Sequence, residues 1–67
     1  MNITIFGSGY VGLVQAAIFA DVGHRVICVD VDAERVDRLR RAEVPFYEPG
    51  LSALIRSGVD NGLLSFT

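Results

Sequence analysis

Near the start of the chain, Gly7-Ser8-Gly9-Tyr10-Val11-Gly12 places glycines at the spacing G-x-G-x-x-G, and Asp30 follows 18 residues after Gly12. Each glycine has its own task in such a loop. Gly7 permits a tight turn, Gly9 lets a diphosphate come close to backbone, and Gly12 lets a helix lie against a strand. A helix opening at this loop turns unpaired N–H groups and roughly half a positive charge toward an anion. The Asp30 carboxylate accepts hydrogen bonds from ribose hydroxyls and repels a 2′-phosphate. The chemistry expected of this pattern is dinucleotide binding, with NAD favoured over NADP. Arg35, five residues after Asp30, has two readings: it reaches over the adenosine edge, or it is a surface arginine of a charged helix.

Glycine-rich loops are common, so the elements around this one decide its meaning. Ile3–Phe6 is a β-branched and aromatic run ended by glycine, read as a strand buried on both faces. Val11 to Val22 is apolar almost all round, and Gly23 stands where a helix ends, which predicts a deeply buried helix. Arg25–Val29 is a second buried strand, and Asp30 closes it. Asp32 is placed to cap a second helix running to about Arg41. Val36 and Leu39 face inward on it, with acid-before-base pairs Glu34–Arg38 and Asp37–Arg41 outside. The prolines and glycine of Val44–Gly50 make that stretch loop or extended chain. Leu51, Leu54 and Ile55 start a short third helix that fades near Gly58, and Asn61-Gly62 turns into a strand over Leu63–Thr67. The fold class is α/β, a Rossmann-like βαβ(α)αβ fragment of a doubly wound parallel sheet. The glycine loop thus leaves one strand, opens a helix and is followed by a carboxylate at the end of the next strand.

Composition narrows the partners. The 67 residues are 51% hydrophobic, and the mean hydropathy of +0.41 is high for a domain with a complete polar surface. The apolar first helix and a central first strand call for covering neighbours, so residues 1–67 read as an incomplete N-terminal portion of an NAD-binding domain. A net charge of −2 with interspersed signs offers no basic patch for nucleic acid. No stretch is long and apolar enough for a membrane span, and there is no basic leader. A lone cysteine, Cys28, forms no internal disulfide; with no cation beside it, it reads as a small core residue in a cytoplasmic protein. His24 has no evident second ligand and is assigned no role, and no metal site is expected.

The glycine loop with Leu13, then Cys28-Val29-Asp30-Val31-Asp32, and above all Pro45-Phe46-Tyr47-Glu48-Pro49-Gly50-Leu51, resemble the N-terminus of the UDP-glucose/GDP-mannose dehydrogenase family over the whole chain. Tyr47 points to the UDP-glucose branch; Phe46 stands where the family more often has isoleucine. The resemblance implies oxidation of UDP-glucose to UDP-glucuronate by two NAD through a cysteine-linked intermediate. It also implies a nucleotide-sugar substrate and a homo-oligomeric complete protein. The family's catalytic cysteine and lysine belong to later segments, and Cys28 does not match that cysteine, so no catalytic residue is assigned here. Matching cofactor positions are Gly7, Gly9, Tyr10, Val11, Gly12, Asp30 and Arg35, while Phe46–Leu51 is a mainly structural segment in which Glu48 also helps shape the site. Two alternatives stay open: another NAD-dependent nucleotide-sugar or hydroxyacid dehydrogenase, and a non-enzymatic NAD-sensing module.

Overall fold

The computed structural model describes residues 1–45 and 48–67. Runs rich in β-branched residues form β1 (Asn2–Phe6) and β2 (Arg25–Val29), and Leu64–Phe66 forms the short β3; α1 (Tyr10–Asp21), α2 (Ala33–Arg40) and α3 (Leu51–Asp60) join them. The order βαβααβ is the expected one. All pairings are parallel in the order β1-β2-β3. The register aligns Ile3 with Val26 and Leu64, and Ile5 with Cys28 and Phe66. These side chains share one face of the sheet, as a period of two requires.

That face carries the core. Leu13, Ala16, Ala17 and Ala20 of α1, Val36 and Leu39 of α2, and Leu51 and Ile55 of α3 are buried there with Val26, Cys28, Leu64 and Phe66. The alanines bring α1 close to the strands. Fully buried Leu13, Leu39 and Ile55 each stabilise the fold by about 1.5–3 kcal/mol. Both strands were expected to be buried on both faces, and here the structure differs. The opposite face holds Asn2, Thr4, Phe6, Arg25 and Ile27, all exposed, with Phe6 82% accessible. All three helices pack into one cluster on a single side, so burial alternates along each strand instead of being continuous. Val11, Ile18 and Val22 of α1 are also exposed, the apolar surface for which the sequence calls for covering neighbours.

Local chemistry explains the helix boundaries. Asp32 accepts the Arg35 N–H at 3.1 Å, capping α2 as expected, and the Glu34–Arg38 and Asp37–Arg41 pairs form on its solvated side. The third helix, expected to fade near Gly58, runs two residues past it, to Asp60. A Cβ at Gly58 would lie 2.9 Å from the Leu64 Cβ and 3.4 Å from the Ala20 Cβ. This glycine therefore admits β3 and α1 to the helix surface, and the chain turns only at Gly62, where φ is +80°.

Candidate cofactor site

Because β1 and β2 are parallel, the loop after Phe6 and the residue after Val29 emerge at the same end of the sheet, the end where open α/β sheets bind ligands. The Gly7 N–H donates to the Val29 carbonyl at 2.6 Å, extending the ladder by one bond before the chain turns. Gly7 makes that turn at φ +92°, in the left-handed region. Gly9 then adopts φ −69°, ψ −179° as the residue before α1. A Cβ built on Gly9 meets nothing within 4 Å, whereas one on Gly12 would strike the Gly7 carbonyl oxygen at 2.6 Å. The first and third glycines thus shape the loop, and the middle one opens space above it.

The start of α1 differs from that of α2. No side chain caps it, and its first turn holds no acidic residue. The Leu13 N–H to Gly9 carbonyl bond, 2.9 Å, closes the first turn, so the Val11 and Gly12 amides precede the helical ladder and point outward from the helix end. A diphosphate fits this arrangement, since it needs donors, a positive dipole end and clearance.

Asp30 is drawn against this loop. Its Oδ2 accepts both the Ser8 N–H, at 2.7 Å, and the Ser8 hydroxyl, at 2.6 Å, while Oδ1 accepts the Asp32 N–H at 2.9 Å. Ser8 is fully buried. It was missed as a functional residue in the sequence; the only signal was a small hydroxyl side chain between two glycines. The Ser8 hydroxyl bond, then the Asp32 and Ser8 amides, lower the Asp30 pKa from 3.8 to about 2, and the nearby Arg35 charge acts in the same direction. A depressed carboxylate pKa stabilises the fold above about 3.8, and that contribution is lost as pH falls through about 2. At neutral pH the carboxylate is ionised and fixed in orientation, with lone pairs left for further donors.

Of the remaining expected positions, Arg35 is half-buried beside Asp30 and lines a cavity of about 170 Å³ with Asp32, Glu34, Arg38, Glu43 and Pro45. Val11 is exposed on the first turn of α1. Tyr10, also exposed, donates its phenol proton to Glu48 Oε2 at 3.0 Å. Cys28 is 1% accessible, and burial followed by the Asp30 charge pushes its thiol pKa up, opposite to what a nucleophile needs. Phe46 and Tyr47, on which the branch reading rests, lie outside the described residues. No helix among those described is long and apolar enough to cross a membrane.

Comparison with known proteins supports this geometry. The chain is 54% identical over its whole length to UDP-glucose 6-dehydrogenase of Pseudomonas aeruginosa, of which it spans 15%. It superimposes on GDP-mannose dehydrogenase of Pseudomonas aeruginosa, solved as a ternary complex, with a TM-score of 0.95 and 46% identity; the match covers all of this chain and 15% of that one. For UDP-glucose dehydrogenase of Pyrobaculum islandicum the TM-score is 0.92 at 42% identity, covering 98% of this chain and 15% of that one. The sequence pattern described as the NAD-binding domain of the UDP-glucose/GDP-mannose dehydrogenase family matches residues 1–67. A Rossmann-type parallel sheet with its glycine loop tied to a carboxylate at the end of β2 is what such a domain requires, and the chain belongs to this family as its NAD-binding domain.

Proposed function

We propose that residues 1–67 are the N-terminal NAD-binding portion of a longer dehydrogenase that oxidises UDP-glucose to UDP-glucuronate. The observation that carries the cofactor reading is the Ser8–Asp30 tie. It sets an ionised carboxylate beside a glycine loop whose middle residue has open space above it. In this reading Gly9 leaves room for the pyrophosphate, and the Val11 and Gly12 amides hydrogen-bond it. Gly7 and Gly12 keep the loop closed, Asp30 accepts the ribose hydroxyls and Arg35 lies along the adenosine edge. Tyr10 forms the wall of the loop at the start of α1. Bound there, NAD is the hydride acceptor; two successive oxidations take the primary alcohol and one water to a carboxylate, so two NADH form per sugar.

The 54% identity to a UDP-glucose 6-dehydrogenase supports the sugar assignment, and the likeness to a GDP-mannose dehydrogenase names the competing one. Incubating the complete protein with NAD and each nucleotide sugar separates them. The expected result is two NADH per UDP-glucose consumed and no NADH above background with GDP-mannose. The reverse preference moves the protein to the other branch. NAD binding without turnover of either sugar favours the sensing module.

A further inference from the structure

Two elements far apart in the chain meet at the mouth of the loop. Tyr10 is the first residue of α1, next to Gly9, and its hydroxyl donates to Glu48 across a separation of 38 residues. Glu48 is itself anchored: its carbonyl accepts the Leu51 N–H at 3.0 Å, which fastens it to the start of α3. Leu51 and Ile55 of α3 are buried in the shared core, and α3 packs against α1. Glu48 and Pro49 also border, with Val14, Ile18, Leu51 and Leu54, a cavity of about 160 Å³ between these helices. Tyr10 is half exposed at the helix start, and each hydrogen bond its hydroxyl makes narrows the rotamers its ring can adopt.

We propose that Glu48 is a positioning residue for the cofactor loop, fixing the Tyr10 ring at the wall of the pyrophosphate space before the cofactor arrives. The inference rests on the reading of Gly7–Gly12 as that site. The acceptor is a carboxylate anchored to the framework, which makes the bond stronger than one between neutral groups. The Glu48 hydrogen bond and then the Glu48 charge raise the phenol pKa, so Tyr10 stays a donor. Ordering the ring in advance lowers the entropy lost on binding, and by linkage the bound cofactor tightens the tie in return.

The test is a double-mutant cycle on the complete protein, with NAD affinity measured by titration calorimetry. Glu48→Ala and Tyr10→Phe should each weaken NAD by roughly three- to tenfold, the range for one hydrogen bond. The double variant should lose no more than either single one. Glu48→Gln, which keeps an acceptor oxygen, should restore affinity to within about twofold of the parent, because the bond survives without the charge. Multiplicative losses in the double variant, a glutamine variant as weak as the alanine one, or full affinity in every variant overturns the proposal. Gly9→Val separates this outcome from failure of the site reading: if that variant loses NAD while Glu48→Ala binds normally, only the positioning role falls.

Discussion

Replacing Gly9 by valine abolishes NAD binding by the complete protein while leaving its fold intact. The backbone there, φ −69° and ψ −179°, is extended and open to any L residue, so no strain accompanies the substitution. A Cβ at this position has no neighbour within 4 Å, so the valine does not collide with the protein. It projects into the space that the pyrophosphate needs. The backbone amides at the start of α1 then lose their approach to the anion, and with it the main electrostatic contribution to binding. Far-ultraviolet circular dichroism should match the parent, and titration should show NAD affinity reduced by at least a hundredfold. A folded Gly9→Val protein with unchanged affinity shows that the open space above the loop is not where the cofactor lies.

At Gly12 the same class of substitution acts on the fold. Its Cβ would sit 2.6 Å from the Gly7 carbonyl oxygen and 3.4 Å from the Ile5 side chain, and the closer contact is backbone that cannot rotate aside. Either α1 moves away from β1 or the loop opens, and both disturb the core around Leu13 and Ala16. Gly12→Ala should therefore cost about 1–3 kcal/mol of stability, typical of overpacking. It should lower the melting temperature by several degrees and weaken NAD as well. Thermal unfolding followed by circular dichroism reads the effect. A melting temperature equal to that of the parent shows that the helix and strand are less tightly apposed than this geometry requires. Adjacent turns of one motif thus separate into a position that matters to the ligand and one that matters to the protein.

Much of this was legible in the residues themselves. The glycine spacing, the apolar runs of β1 and β2, the Asp32 cap and the Glu34–Arg38 and Asp37–Arg41 pairs depend on neighbours within a few residues, so local pattern reveals them. Contacts made only by folding were not legible. Ser8 resembles any small polar loop residue until the pairing of β1 with β2 brings it to Asp30, 22 residues away. Gly58 resembles a helix terminator because nothing nearby in sequence announces that Leu64 must pass against it. Strand burial within residues 1–67 is one-sided, and the uncovered face is apolar at Phe6 and Ile27, in keeping with the expected need for covering neighbours. Apolar runs in β1 and β2 report what both faces can tolerate, whereas actual coverage depends on which side the connecting helices take, and all three take one. Arg35 carries both of its readings in the structure: its charge acts on Asp30, and it lies among the charged residues Glu34, Arg38 and Glu43.

The central claim is that the Ser8-tied Asp30 carboxylate reads the adenosine ribose of NAD, and paired titrations test it most directly. NAD and NADP are titrated into the complete protein and into its Asp30→Ala variant at several values between pH 5 and 8. With the Asp30 pKa at about 2, the carboxylate is ionised throughout that range, so the preference of the parent for NAD should be strong and independent of pH. Removing the carboxylate takes away an acceptor for the 2′-hydroxyl and a charge that opposes a 2′-phosphate. Asp30→Ala should bind NAD roughly ten- to a hundredfold more weakly, as expected for a charge-assisted hydrogen bond, and should bind NADP no worse than the parent does. Equal affinity of the parent for the two cofactors, or an unchanged preference after Asp30→Ala, would contradict the account.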